Sequence, residues 1–214
     1  MTLYEITETL IRAANGGNFS SDMKWDIPYI ESIVHQVREQ AIIISYNGNQ
    51  ATGANKTISP DWLQKNTYTV FTKVDNEKEP SYLTTSALPV VRVNSNQTGV
   101  AYQGTAGATQ KFYEALTKGQ INTWYTQGFF KNNKRVAILR TGESMEVYGN
   151  TLITSISEEA IYQRPDLVAG WNYDTSRYPI NEGLVPMMKM LFVQQIRPEM
   201  MIGKDNVSDR TITP

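Results

Sequence analysis

The stretch DIPYIESIVHQVREQAIIISYNG, Asp26 to Gly48, decides how the N-terminal part of the chain is read. Ile30, Ile33, Val34, Val37, Ala41 and Ile44 recur at spacings of three and four, the period of an amphipathic helix. Pro28 is tolerated in a first turn, where its missing N–H has no partner to lose. Asn47-Gly48 is expected to stop the helix, leaving a rod of roughly 30 Å from its rise per residue. Upstream, Thr2 and Glu5 have capping-box spacing, and Leu3, Ile6 and Leu10 keep helical spacing up to Asn15-Gly16-Gly17. The two segments predict a helical hairpin.

Downstream the pattern changes. Residues 47–59 read as a Gly/Asn/Thr loop. Tyr68 to Val74 alternates and is rich in β-branched residues, and Val90 to Val93 and Val100 to Gln103 are further strand candidates. Thr109 is expected to cap a short helix through Leu116. Trp124-Tyr125-Thr126 reads as a strand, followed by Phe129-Phe130 and Val136 to Leu139 around a basic hairpin, Lys131 to Lys134. Met145 to Tyr148 and Leu152 to Ile156 add a strand or a pair.

The last third returns to helix. Asn181 is expected to cap a segment in which Leu184, Val185, Met187, Met188, Met190, Leu191, Phe192 and Val193 surround a single charge, Lys189. A helix apolar on nearly every side is expected to be buried on nearly every side, with Pro198 kinking or ending it. The fold class is therefore α+β. An N-terminal helical pair and a C-terminal apolar helix form a helical bundle, with a mainly antiparallel β region between them. The expected divisions are 1–59, 60–160 and 161–214, the last including an extended arm.

Composition removes most chemistry. The 214 residues contain no cysteine and one histidine, with 20 basic against 21 acidic residues. Thiolate nucleophiles, disulfides and Cys-based metal sites are excluded, and no His-rich metal site can be built. The balanced charge argues against a general nucleic-acid binder. No secretory leader is visible, and no apolar run approaches the about 20 residues of a membrane span. A soluble chain folded in a cytoplasm is expected.

The remaining motifs have plain readings beside sharp ones. Gly48 to Thr57 resembles a phosphate-binding loop, but Lys56 is not directly after the second glycine and the loop follows a helix. His35 lies one step off the apolar stripe and lacks a local nucleophile and carboxylate, so a solvent-facing or interface position is expected. Glu158-Glu159, like Asp75 to Glu79, is expected to mark a solvated turn or helix start. Trp124, Tyr125, Phe129 and Phe130 could stack on a sugar, with a sheet core as the default. Five of the eight methionines, Met187, Met188, Met190, Met200 and Met201, cluster near the end, which suits a core helix or a subunit interface. No catalytic, cofactor-binding or metal-ligating residue emerges.

Tyr178-Pro179-Ile180-Asn181-Glu182-Gly183-Leu184-Val185-Pro186, the apolar helix, and then Lys204-Asp205-Asn206-Val207-Ser208-Asp209 resemble the C-terminal signature of structural proteins from crAss-like and related Bacteroidetes phages. The N-terminal helical pair, Pro60-Asp61-Trp62-Leu63, Trp124-Tyr125-Thr126 and Val147-Tyr148-Gly149 extend the similarity over most of the length. Gly183 and Arg197-Pro198 depart from the pattern.

The resemblance implies a ring-forming adaptor of the head–tail connector below the portal. It implies a non-enzymatic virion protein, made and assembled in the bacterial host's cytoplasm. Such rings usually hold twelve copies around a channel for double-stranded DNA. The implied partners are the chain itself, the portal and adjacent tail rings, with no membrane and no cofactor. Mapped onto this sequence, the apolar interface includes Met187, Met188 and Leu191, and the arm that reaches a neighbour includes Lys204, Asp205, Asn206 and Asp209. Near-neutrality suits a channel through which DNA slides without being held. The alternative is a small β-sheet module that binds glycans or host-surface ligands.

Overall fold

In the computed structural model the Thr2 hydroxyl accepts from the Glu5 amide (3.3 Å) and the Glu5 carboxylate accepts from the Thr2 amide (2.9 Å). This reciprocal cap opens α1, Leu3–Ala14, which Asn15 closes before Gly16 takes a left-handed φ of 66°. The structure describes residues 1–16, 26–51, 57–69, 71–75, 77–105, 111–126, 135–149 and 153–202. The chain is mixed α+β and divides into two compact units, Met1–Gly48 with Asn172–Pro214, and Asn49–Trp171.

The helical unit holds α1, α2 (Ile27–Ala51) and α4 (Val185–Ile202), and α1 packs on α4. Leu3, Ile6 and Leu10 form the buried side of α1. α2 buries Ile30, Ile33, Val34, Val37 and Ala41 as its period predicts, but Ile44 is exposed and Ile42 and Tyr46 take its place. The buried stripe has a second edge, His35, Arg38, Ile42 and Tyr46, again at spacings of three and four. α2 does not stop at Asn47-Gly48 but runs on to Ala51. A helix-interior glycine costs about 1 kcal/mol without forbidding the helix, and Gly48 stays out of the left-handed region that would end it.

Asn181 caps as expected, its side-chain oxygen accepting from Gly183 N at 2.8 Å, but it opens a single 3-10 turn, Glu182–Leu184, that leads into α4. α4 continues past Pro198 to Ile202, although a proline removes one hydrogen bond of the helical ladder. The expectation of burial on nearly every side fails. Val185, Met188, Phe192 and Ile196 are buried at spacings of three and four, whereas Met190 is 54 % exposed.

The β unit contains β1 (Gln64–Tyr68), β2 (Thr72–Val74), β3 (Tyr82–Ser86), β4 (Arg92–Asn94), β5 (Gln97–Thr98), β6 (Val100–Gly104), β7 (Tyr113–Ala115), α3 (Lys118–Thr126), β8 (Ala137–Thr141), β9 (Ser144–Tyr148) and β10 (Ile156–Ala160). One sheet has the order β1-β10-β6 and a second the order β2-β3-β9-β8-β7, with β4-β5 a short ribbon. The pairings are antiparallel except for β7 with β8. Tyr68 and Ile156 of the first sheet share one apolar core with Leu83, Ile138, Met145 and Val147 of the second.

Several local expectations are corrected here. Tyr68 to Val74 is not one strand: β1 ends at Tyr68 and β2 starts at Thr72, in different sheets. Tyr113–Ala115 is the edge strand β7 where a helix through Leu116 was expected, and its expected cap, Thr109, lies outside the described residues. Trp124-Tyr125-Thr126 is helical, the end of α3. Thr117 and Gln120 supply the cap: Gln120 N donates to the Thr117 hydroxyl (3.3 Å) and the Gln120 side chain accepts from Leu116 N (2.6 Å). Ile153 to Ser155 precede the strand that begins at Ile156. The hairpin expected around Lys131 to Lys134 lies outside the described residues. Thr141 to Ser144 joins β8 to β9, with Gly142 at φ 59° supplying the turn.

Candidate association surface and buried polar centres

The helical unit leaves apolar side chains in water. Tyr4, Ile27, Tyr29, Ile44 and Met190 are its exposed large apolar residues, against Tyr113 and Leu167 in the β unit, among the described residues. On α4 the side opposite Met188, Phe192 and Ile196 presents Met190, flanked by half-buried Met187 and Leu191. Of the residues singled out in the sequence, Met187 and Leu191 therefore reach the surface. Met188 is 0 % exposed within its own chain. Lys204, Asp205, Asn206 and Asp209 lie outside the described residues.

The segment leading into α4 is fastened to α2. His35 Nδ1 lies 2.8 Å from the Tyr178 hydroxyl, Arg38 Nε donates to Pro179 O at 2.9 Å, and the guanidinium sits 5.5 Å from the Tyr178 ring centroid. Tyr178 N donates to Met1 O at 2.9 Å, so the same residue also holds the start of the chain. His35 is thus buried and corrects the solvent-facing expectation. Arg38 is fully buried, and burial lowers its guanidinium from the ordinary value, against the opposing pull of Tyr178 and Glu39. Ile42 and Tyr46, seven and eleven residues after His35, were the available signal.

The second centre is in the β unit. Glu158 and Glu159 do not mark a turn but sit in β10, and Glu158 is 0 % exposed. Strand alternation sends Glu158 inward and Glu159 outward. Tyr68 and Tyr162 hydroxyls donate to Glu158 Oε1 (3.2 and 3.0 Å), Gln103 Nε2 donates to Oε2 (2.7 Å), and Arg140 Nη2 forms the ion pair on Oε2. Arg140 Nη1 donates to Leu88 O, and Leu88 N donates to the Tyr68 hydroxyl. Burial works against the Arg140 charge, but Glu158 with Tyr68 and Tyr162 outweighs it and holds the guanidinium above its ordinary value. Burial and the adjacent Glu158 carboxylate push the Tyr162 phenol up. Every lone-pair direction of this carboxylate is thereby used, which is what a buried charge requires.

Nearby, Glu114 accepts from the Thr98 hydroxyl at 2.5 Å, and burial raises its carboxyl above the ordinary range. Glu114 is within electrostatic reach of Arg140, Glu158 and Arg92. The Glu158 carboxylate is engaged on both oxygens.

Trp124 is buried and Tyr125 half-buried against Ala115, Ile121, Ala137, Leu139 and Tyr148, so this ring contributes to a core rather than a stacking platform. Phe129, Phe130 and Lys56 lie outside the described residues. Among the described residues no group of three or more His, Cys, Asp or Glu side chains could hold a metal, and no helix is long and apolar enough to cross a membrane. Comparison with protein-family models and with curated proteins returns no match.

Proposed function

We propose that the chain is a non-enzymatic structural protein of a bacteriophage virion. It assembles with copies of itself into a ring of the head–tail connector below the portal, around the channel for genome passage. The observation that supports this reading best is the exposure of Met190, flanked by Met187 and Leu191, on a helix whose other side is already committed to its own core. An apolar strip on a charged-balanced chain is stabilised by covering it with another protein surface. In this reading α1, α2 and α4 pack as a helical bundle that braces the ring, and Lys204, Asp205, Asn206 and Asp209 belong to an arm reaching a neighbour. The partners are about twelve copies, by the resemblance to crAss-like phage ring proteins, with the portal and adjacent rings. DNA passes through the lumen without being bound in sequence-specific fashion.

The test is light scattering of the chain mixed with its portal. Co-assembly into a species of defined stoichiometry supports the reading, and a chain that stays monomeric beside an intact portal and neighbouring rings overturns it.

A further inference from the structure

Among the described residues, two buried polar atoms of opposite kind have no protein partner at the Glu158 centre: the acceptor Gln103 Oε1 and the donor Arg140 Nε. Both side chains are more than nine-tenths buried, Gln103 at 3 % and the Arg140 side chain at 9 % exposure. They also share partners. Gln103 Nε2 donates to Glu158 Oε2 at 2.7 Å and approaches Met145 Sδ at 3.1 Å. Arg140 Nη2 pairs with the same Glu158 oxygen and lies 3.4 Å from the same sulfur. Two strands of different sheets, β6 and β8, thus bring the amide that carries the orphan acceptor and the guanidinium that carries the orphan donor onto the same carboxylate oxygen and the same sulfur.

Neither atom can be satisfied by turning its own group. Reversing the Gln103 amide would set Oε1 against Glu158 Oε2, two acceptors with no proton between them. The Arg140 plane is pinned at both ends, by Leu88 O on Nη1 and Glu158 on Nη2, which fixes the direction of the Nε–H. A buried polar group without a partner is destabilising, so a third group is called for.

We propose that one internal water molecule occupies this position, accepting from Arg140 Nε–H and donating to Gln103 Oε1. The chemistry of the surroundings selects it. Glu158, with Glu114 in electrostatic reach, repels an anion; the Arg140 guanidinium repels a cation; and complete burial excludes a larger hydroxyl compound. What fits is small, neutral and both donor and acceptor, and a water with two or more polar partners in such a site is ordinarily a fixed part of a fold. It links β6 to β8 directly, giving the two sheets a polar tie that does not pass through Glu158.

A crystal structure of the full chain at a resolution that shows ordered solvent tests this. A single density peak within hydrogen-bond distance of both Gln103 Oε1 and Arg140 Nε is expected. No peak between them, or both atoms paired with protein groups, overturns the proposal. In solution, water oxygen-17 relaxation dispersion counts long-lived internal waters. Gln103→Met keeps the side chain's bulk and removes the acceptor, and the count is expected to fall by one. An unchanged count in a folded variant overturns the proposal, and if the variant does not fold the wild-type crystal decides.

Discussion

His35 Nδ1 stands 2.8 Å from the Tyr178 hydroxyl, across 143 residues of chain, and this contact with its neighbour, Arg38 Nε on Pro179 O, joins the C-terminal signature to α2. The motif that carries the resemblance is therefore anchored at its first two residues. Tyr178→Phe removes the hydroxyl and leaves the ring under the Arg38 guanidinium. It is expected to lower stability by about 1 kcal/mol, the net worth of a buried hydrogen bond, read as a fall in Tm of about 3 °C. Arg38→Ala, which also removes packing against Tyr178, is expected to cost more in the same melt.

The Glu158 carboxylate pairs with the Arg140 guanidinium, and the two side chains are 0 % and 9 % exposed. Glu158→Gln leaves the guanidinium without its counter-charge, and urea denaturation is expected to show a loss of about 3–5 kcal/mol. Replacing Arg140 and Glu158 together by leucine is expected to cost less than the two single replacements added, because no charge is then stranded. Additive losses would show that the pair does not act as a unit.

Glu114 gives the protein a pH dependence of known sign. Burial raises its folded-state pKa, so the folded chain holds this proton more tightly than the unfolded chain does. The stability it contributes is present below the ordinary carboxylate range and is lost as pH rises through the raised value. Glu114→Gln keeps an acceptor for Thr98 and removes the ionisation. Its Tm is expected to exceed that of the wild type at pH 7, with the difference shrinking as pH falls toward 4. A variant less stable than wild type at pH 7 would contradict this.

Thr117→Ala removes the hydroxyl that caps α3 and is expected to cost about 1 kcal/mol, seen as a lower urea midpoint. The glycine two residues on makes this cap worth more to the helix, since Gly119 lowers its intrinsic stability.

Periodicity made α1, the buried side of α2 and the strands at Val100 and Met145 legible, because apolar residues there alternate or recur without interruption. α3 was hidden by its aromatic residues, which favour strands on average, although Thr117 and Gln120 have the spacing of a capping box. The two polar centres were hidden for a different reason. Arg38 and Glu158 occupy positions on buried faces, and polarity there looks like solvent exposure until partners far along the chain are known. Tyr178 for Arg38, and Arg140 with Gln103 for Glu158, are long-range contacts that no local pattern encodes. Met188 lies on the covered side of α4, and composition alone does not tell which side of an apolar helix its own core covers.

Met190→Glu tests the association surface separately from folding. The side chain is 54 % exposed, so Tm is expected to change by no more than a degree or two, as for surface substitutions generally. Co-assembly with the portal, measured by light scattering, is expected to be lost. A charged residue that leaves assembly intact would move the interface away from this side of α4.

The central claim is tested most directly by electron microscopy of the native particle. The account predicts a closed ring of identical copies of this chain, coaxial with the portal, with Met190 of each copy covered by a neighbouring chain. A connector without this chain, or one in which it appears as isolated copies with Met190 in solvent, would contradict it.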